Sequence, residues 1–500
     1  MSTASGGGTS ARGLQAGALG LFASVILGVA SVAPAYSMAA TAGLLAIAVG
    51  PQGPMAMILG FIPMLLVSAG FYYMNRADPD CGETFIWTAR AFGPAAGWVL
   101  GFASVAASVI VMANLAWVAS YYGFLLFGAD DLAHAAFWVT AGGVAWIVFV
   151  SALVALGIRI AAKAQYVLMA LQLIPLALFV VWSVAKAVAT HPAGYEPFRA
   201  SWLFTTDISI DRLAAGVVLS AFLYWGWDTV MAVNEESQDS RRLPGASAVL
   251  NTIILVLVYV TVMAAMQMYH GAGFLAKKPD DVFSPLAGEV MGDGWDRLLF
   301  ICLITSGAAA ALTTMLPMTR QMLSMAAHKA APRVFGVIHP RFKTPFRGTV
   351  VLAVLSILWY VLLTWANVDL LADSISALGI IVCLTYGGTG LAATVYYRKE
   401  LLKSARNFVL MGLAPALGGL MLLLILAKVL ADALRYAPGG NSRVNIGGYG
   451  AVFVMGVAII VASIALMIAM RIFRPEFFRR RPETWPGEGK PIPYQGERVG

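Results

Sequence analysis

The chain has 500 residues, of which 60% are hydrophobic and only 12% are charged. The charges fall between apolar runs of about twenty residues, the length that crosses ~30 Å of hydrocarbon. A water-soluble globular domain is therefore excluded and a polytopic membrane protein is indicated. The net charge of +8 is mainly a topology signal, because most Lys and Arg fall in the tails and in the loops of one side, which predicts that both termini are cytoplasmic. The run Arg479-Arg480-Arg481 suits anionic lipid headgroups, and no nucleic-acid partner is expected.

In chain order, a Ser-, Gly- and Thr-rich segment at 1–15 reads as a disordered cytoplasmic tail. Hydropathy then predicts twelve spans, near 16–48, 54–74, 95–127, 135–157, 164–188, 213–236, 245–269, 297–325, 347–366, 370–397, 406–432 and 448–472. The first run continues past Pro34 to about Val49, too long for a cleavable signal core despite the small residues at Ala33-Pro34-Ala35. Two spans are interrupted, the first from Gly28 to Pro34 and the sixth from Leu223 to Asp228.

Residues 16–188 hold five spans and 213–397 hold five more, each set opening on an interrupted helix. Because five is odd, the second set enters the bilayer from the opposite side, the inverted arrangement of many secondary transporters. Spans eleven and twelve occupy 406–472, and 473–500 forms a cytoplasmic tail. The expected fold is thus an all-α integral membrane protein of twelve helices, a five-plus-five inverted repeat with helices 1 and 6 broken, plus two C-terminal helices.

Other chemistries find little support. Cys81, Cys302 and Cys383 suggest no disulfide framework, and the five histidines lack metal-ligand spacing. Gly487-Glu488-Gly489-Lys490 lacks the glycine spacing and the following Ser or Thr of a phosphate loop. No cofactor or metal is expected, no catalytic constellation marks an enzyme, and no repeated polar ring marks a channel.

The two breaks define a chemistry. A helix that stops inside the membrane leaves unpaired carbonyls at one end and unpaired amides at the next start, with opposite partial charges. Such backbone survives at that depth only around a cavity. A carbonyl end suits an ammonium and an amide end suits a carboxylate, so a pocket with both fits a zwitterion the size of an amino acid. Asp228 adds an acid where a charge costs ~2.5–3.5 kcal/mol. It is either a proton carrier or a carboxylate neutralised by an Arg or capped by backbone amides.

Several segments are specific. Phe222-Leu-Tyr-Trp-Gly226-Trp-Asp228, followed by Asn234-Glu235-Glu236-Ser237 and Arg242-Leu243-Pro244, resembles the sixth helix and exit of the amino acid-polyamine-organocation superfamily. Gly82-Glu83-Thr84-Phe85-Ile86-Trp87 with Arg90-Ala91-Phe92-Gly93-Pro94 is similar to that family's loop after helix two, and Arg320, Ala331-Pro332 and Thr344-Pro345 give a third match.

The resemblance implies a leucine-transporter-type fold, alternating access, and a permease for amino acids in a bacterial plasma membrane, proton-coupled or exchanging. A putrescine or amine importer and a sodium-coupled amino acid symporter are the alternatives. Carried over residue by residue, carbonyls near Ala30 and from Phe222 and Trp225 would receive the ammonium, and amides around Ala33 and Ala35 the carboxylate. Ser31, Val32, Gly226 and Trp227 complete the expected substrate site, with Gly28 and Pro34 as helix breaks and Asn114 and Tyr386 as candidate path-lining residues. Asp228 would carry the proton. Thr305-Ser306 or Thr313-Thr314 would supply hydroxyls to the lower-ranked sodium site.

Two departures bear on this. Pro34 has no N–H to offer a carboxylate, which keeps amines in play. Position 172, seven residues after Gln165, is Gln rather than the lysine found in many proton-coupled relatives.

Overall fold

The computed structural model describes residues 10, 12–204, 207–278, 282–292, 294–295, 297–437 and 442–479; most of the segments expected as tails, 1–15 and 473–500, lie outside these. Among the described residues, apart from one two-stranded ribbon, Asn445–Ile446 with Tyr449–Gly450, the regular structure is helical. The elements used below are α1 Leu21–Ser31, α2 Pro34–Val49, α3 Gly53–Ala77, α4 Thr84–Phe92, α5 Pro94–Leu126, α6 Ala136–Ala155, α7 Ile158–Thr190, α8 Ile210–Leu223, α9 Thr229–Ala232, α10 Leu243–Ala276, α11 Phe283–Met291, α12 Arg297–Ala327, α13 Phe346–Ala366, α14 Val368–Tyr396, α15 Ala414–Leu434 and α16 Ala451–Phe473.

Ten helical stretches among the described residues are long and apolar enough to cross a membrane. Burial separates them: about 70% of the apolar window is buried in α5, α12 and α14, against 22% in α16. The first three therefore form the centre of the bundle, and α16 lies at its edge. Exposed Leu358, Leu362, Leu424 and Val461 show apolar side chains on the outer helix faces, as a lipid-facing surface requires.

The end of the expected N-terminal tail is packed rather than free. Arg12 and Leu14 are buried, and Leu19 pairs with the segment after α9: its N–H donates to the Glu236 carbonyl, and its carbonyl accepts from Gln238 N–H. Polar composition marked this stretch as tail, but a guanidinium with buried carboxylates to meet is drawn inward.

Candidate functional site

The first interruption is short. α1 closes with tight turns in which the N–H groups of Val32 and Ala33 donate to the carbonyls of Val29 and Ala30. Ala33 then takes a left-handed conformation, φ +49°, and Pro34 opens α2, where its missing N–H removes no helical bond. Gly28 is not part of the break, contrary to the sequence reading. It lies inside α1, and a Cβ there would sit 1.6 Å from Asn251 Nδ2, so its role is close packing against α10.

The second interruption runs from Tyr224 to Asp228. α8 ends at Leu223, and a turn at Trp225 leads to Gly226 with φ +108°. A Cβ on Gly226 would lie 2.8 Å from Ser31 Oγ and 3.1 Å from Ser31 O. The two breaks thus touch, and Ser31 Oγ is 2.6 Å from Thr229 Oγ1. Gly226→Ala would place an L side chain in a region costing ~1–2 kcal/mol and press it onto Ser31. Its transport at low solute concentration is expected to fall about tenfold, measured as initial uptake normalised to protein in the membrane.

Two chambers flank this contact, both lined by Ser31 and Trp225. The first is largely apolar, with Val32, Ala33, Val111, Leu115, Phe222 and Leu378, and carries the polar groups of Tyr36, Ser37 and Asn114. The second, a cavity of about 40 Å³, is polar and acidic: Gly226, Asp228, Thr229 and Tyr386 face Glu83, Ser104, Ser108, Thr313, Thr314 and Gln321. No Lys, Arg or His lines either chamber.

Asp228 is held by a relay: the Gly226 N–H donates to Tyr386 Oη at 3.0 Å, and that hydroxyl donates to Asp228 Oδ1 at 2.5 Å. Tyr386 is locked in turn by ring contacts with Phe71 and Trp227, at 5.7 and 5.4 Å between centroids.

Of the expected site residues, Ser31, Val32, Ala33, Phe222, Trp225 and Asn114 line the first chamber, and Gly226, Asp228 and Tyr386 the second. Ala30 and Ala35 are buried beside the break without lining a chamber, and Trp227 is fully buried as support for Tyr386. Asn114 Nδ2 donates to the Ile110 carbonyl and to Ser374 Oγ on α14, which tethers α5 at the chamber.

The amide end of the first break is largely occupied. The Ala33 N–H bonds Ala30, the Tyr36 N–H donates to Ser306 Oγ at 3.2 Å, and the Ser37 N–H donates to the Ala33 carbonyl. Of the expected sodium hydroxyls, Thr305 and Thr313 donate to carbonyls of their own helix, and Thr313 and Thr314 line the second chamber. Gln165 Nε2 donates to the Ala309 carbonyl.

Sequence reading passed over Glu83, Tyr36, Ser37, Ser108 and Gln321. Glu83 was legible as an acid one residue before α4, inside a motif quoted only for its resemblance. It also passed over the cluster at the exit of the second break. Arg12 NH1 donates to Glu235 Oε1 at 2.6 Å and Arg12 NH2 to Asp80 Oδ2 at 2.6 Å. Ser324 Oγ donates to Asp80 Oδ1, and Arg320 Nε to Glu236 Oε2. Asp80, Cys81 and Glu235 are grouped closely enough to hold a metal ion, but the Arg12 guanidinium lies among them, and the Cys81 thiol donates to the Arg320 carbonyl.

An apolar helical shell around polar chambers, where backbone ends and a carboxylate meet, is the construction of a multi-pass membrane permease rather than an enzyme. The chain belongs to the amino acid permease family, whose family model matches residues 19–433. It is similar to the low-affinity putrescine importer PlaP of Escherichia coli strain K12, 21% identical over 404 residues, spanning 79% of this chain and 85% of that protein. The methylthioribose transporter of Bacillus subtilis is 22% identical, over 66% of this chain and 72% of its own. The vacuolar cationic amino acid transporter 4 of Arabidopsis thaliana is 23% identical, over 61% of this chain and 52% of its own.

Proposed function

We propose that this permease is a secondary active transporter that carries an amine-bearing solute by alternating access between the two breaks, with Asp228 as the proton carrier. The observation that carries the reading is the meeting of the breaks at Ser31, Gly226 and Thr229 between two chambers free of basic residues. Backbone carbonyls and a carboxylate attract a cation, whereas the amide end that a substrate carboxylate would need is nearly used up by Ser306 and by Pro34. An organic cation therefore fits better than a neutral zwitterion. Two of the relatives above are named for putrescine and for cationic amino acids, which supports the same class.

In this reading the membrane is crossed twelve times. Leu21–Ala77 counts as two spans divided at Gly50–Gln52, and the Ile210–Leu223 helix with Thr229–Ala232 makes one more. Residues 16–188 and 213–397 are the inverted repeats, 406–472 the added pair, and both termini face the cytoplasm of a bacterial plasma membrane, where the Arg12 cluster closes the inner path.

The test is counterflow in proteoliposomes loaded with one unlabelled solute, using labelled putrescine, ethanolamine, lysine, alanine and leucine in turn. Saturable counterflow of the amines or lysine is expected. Counterflow of alanine and leucine alone would replace this reading with a zwitterion permease.

A further inference from the structure

Glu83 is a carboxylate without an established task. It is 5% exposed, takes a left-handed backbone conformation (φ +42°) immediately before α4, and its Oε1 has no hydrogen-bond partner. It lines the second chamber together with Asp228. A buried carboxylate without a partner is costly, and this one shares a chamber with another acid and no base. A proton on one acid, or a cation that the chamber receives, neutralises the pair.

We infer that Glu83 and Asp228 form a second cation subsite that takes the distal ammonium of an alkyl diamine, while the proximal ammonium stays at the carbonyl ends beside the first chamber. The inference rests on the reading of the protein as an amine permease.

Ser31 and Trp225 line both chambers, so a stem that passes their contact reaches from one chamber to the other. Val111, Leu115 and Phe222 give the alkyl stem an apolar wall in the first. Ser108, Thr313 and Thr314 supply oxygens around the acids in the second. An inorganic ion gains nothing from the apolar chamber; a stem with a charge at each end uses both. Glu83 reads the number of charges on the solute, and its removal changes selectivity between a diamine and a monoamine rather than amine binding as such.

The experiment is equilibrium binding of putrescine and of n-butylamine to the purified full-length protein in lipid nanodiscs, for wild type, Glu83→Gln and Glu83→Asp. Wild type is expected to bind putrescine about tenfold more tightly than butylamine, the scale of a hydrogen-bonded charge. Glu83→Gln should erase that preference by weakening putrescine about tenfold more than butylamine, and Glu83→Asp should restore part of it. A wild type without preference, or a Glu83→Gln protein that keeps it, overturns the inference while leaving the amine reading intact. Sodium that displaces putrescine but not butylamine assigns the chamber to an inorganic ion and likewise overturns it. Wild type that binds neither amine removes the amine reading and this inference together.

Discussion

Asp228→Asn is expected to abolish pH-driven accumulation while leaving exchange of a monoamine close to wild type. An inward gradient of one pH unit is worth ~1.4 kcal/mol per coupled proton and sustains about tenfold accumulation. An amide takes up no proton in that range, so the ratio should fall to about one. The amide still accepts from the Tyr386 hydroxyl, now 2.5 Å from Asp228 Oδ1, and the second break keeps its shape, which is why counterflow survives. Labelled monoamine uptake with and without an imposed gradient checks both halves. Accumulation retained in the variant would remove Asp228 from coupling.

Arg12→Ala is expected to loosen the closure at the exit of the second break. It leaves Asp80 and Glu235 buried without their shared cation, a loss that typically costs about 3–5 kcal/mol. The cost should appear as a lower Tm and as faster labelling of Cys81, whose Sγ lies 3.2 Å from Arg12 NH1. Unchanged labelling and Tm would mean that Arg12 does not hold this closure.

The same cluster gives a pH dependence. Burial acts to raise the Asp80 pKa, but Arg12 and His328 hold it well below the usual carboxylate range. Its contribution is therefore present above about pH 4 and lost as pH falls toward its folded value. Asp78 has the opposite sign: burial pushes it up to about 7 against the pull of Arg90, so its contribution is full below about pH 4 and is lost progressively as pH rises to 7. Closure is expected to be tightest at about pH 4 to 5 and to weaken toward pH 7, read as Tm against pH.

Much of the architecture was legible because hydropathy and bilayer length are strong constraints. The span expected at 95–127 is the helix Pro94–Leu126, and that expected at 347–366 is Phe346–Ala366. The first break, at Val32 and Ala33, lies at the C-terminal end of the expected interval from Gly28 to Pro34. Gly28 looked like a helix breaker, but only tertiary packing reveals that its missing side chain makes room for Asn251. Asp228 stood out because an acid at membrane depth needs a reason, and Tyr386 because it is polar within an apolar span.

Arg12 and Glu83 did not stand out, for a shared cause. Both lie in polar segments flanking spans, where a charge is unremarkable until the fold carries it inward. Pairing over 68 residues to Asp80 and over 223 to Glu235 leaves no local pattern, and neither does the convergence of Glu83 with Asp228.

The measurement that bears most directly on the location of the solute is substrate protection at the contact between the breaks. Ser31→Cys would be made in a background with Cys81, Cys302 and Cys383 replaced, then treated with a membrane-permeant thiol reagent with and without saturating putrescine. Protection at concentrations that half-saturate counterflow is expected, because Ser31 lines both chambers. Labelling that proceeds unhindered while the same solute is transported would place the solute elsewhere and contradict a site built on the two interrupted helices.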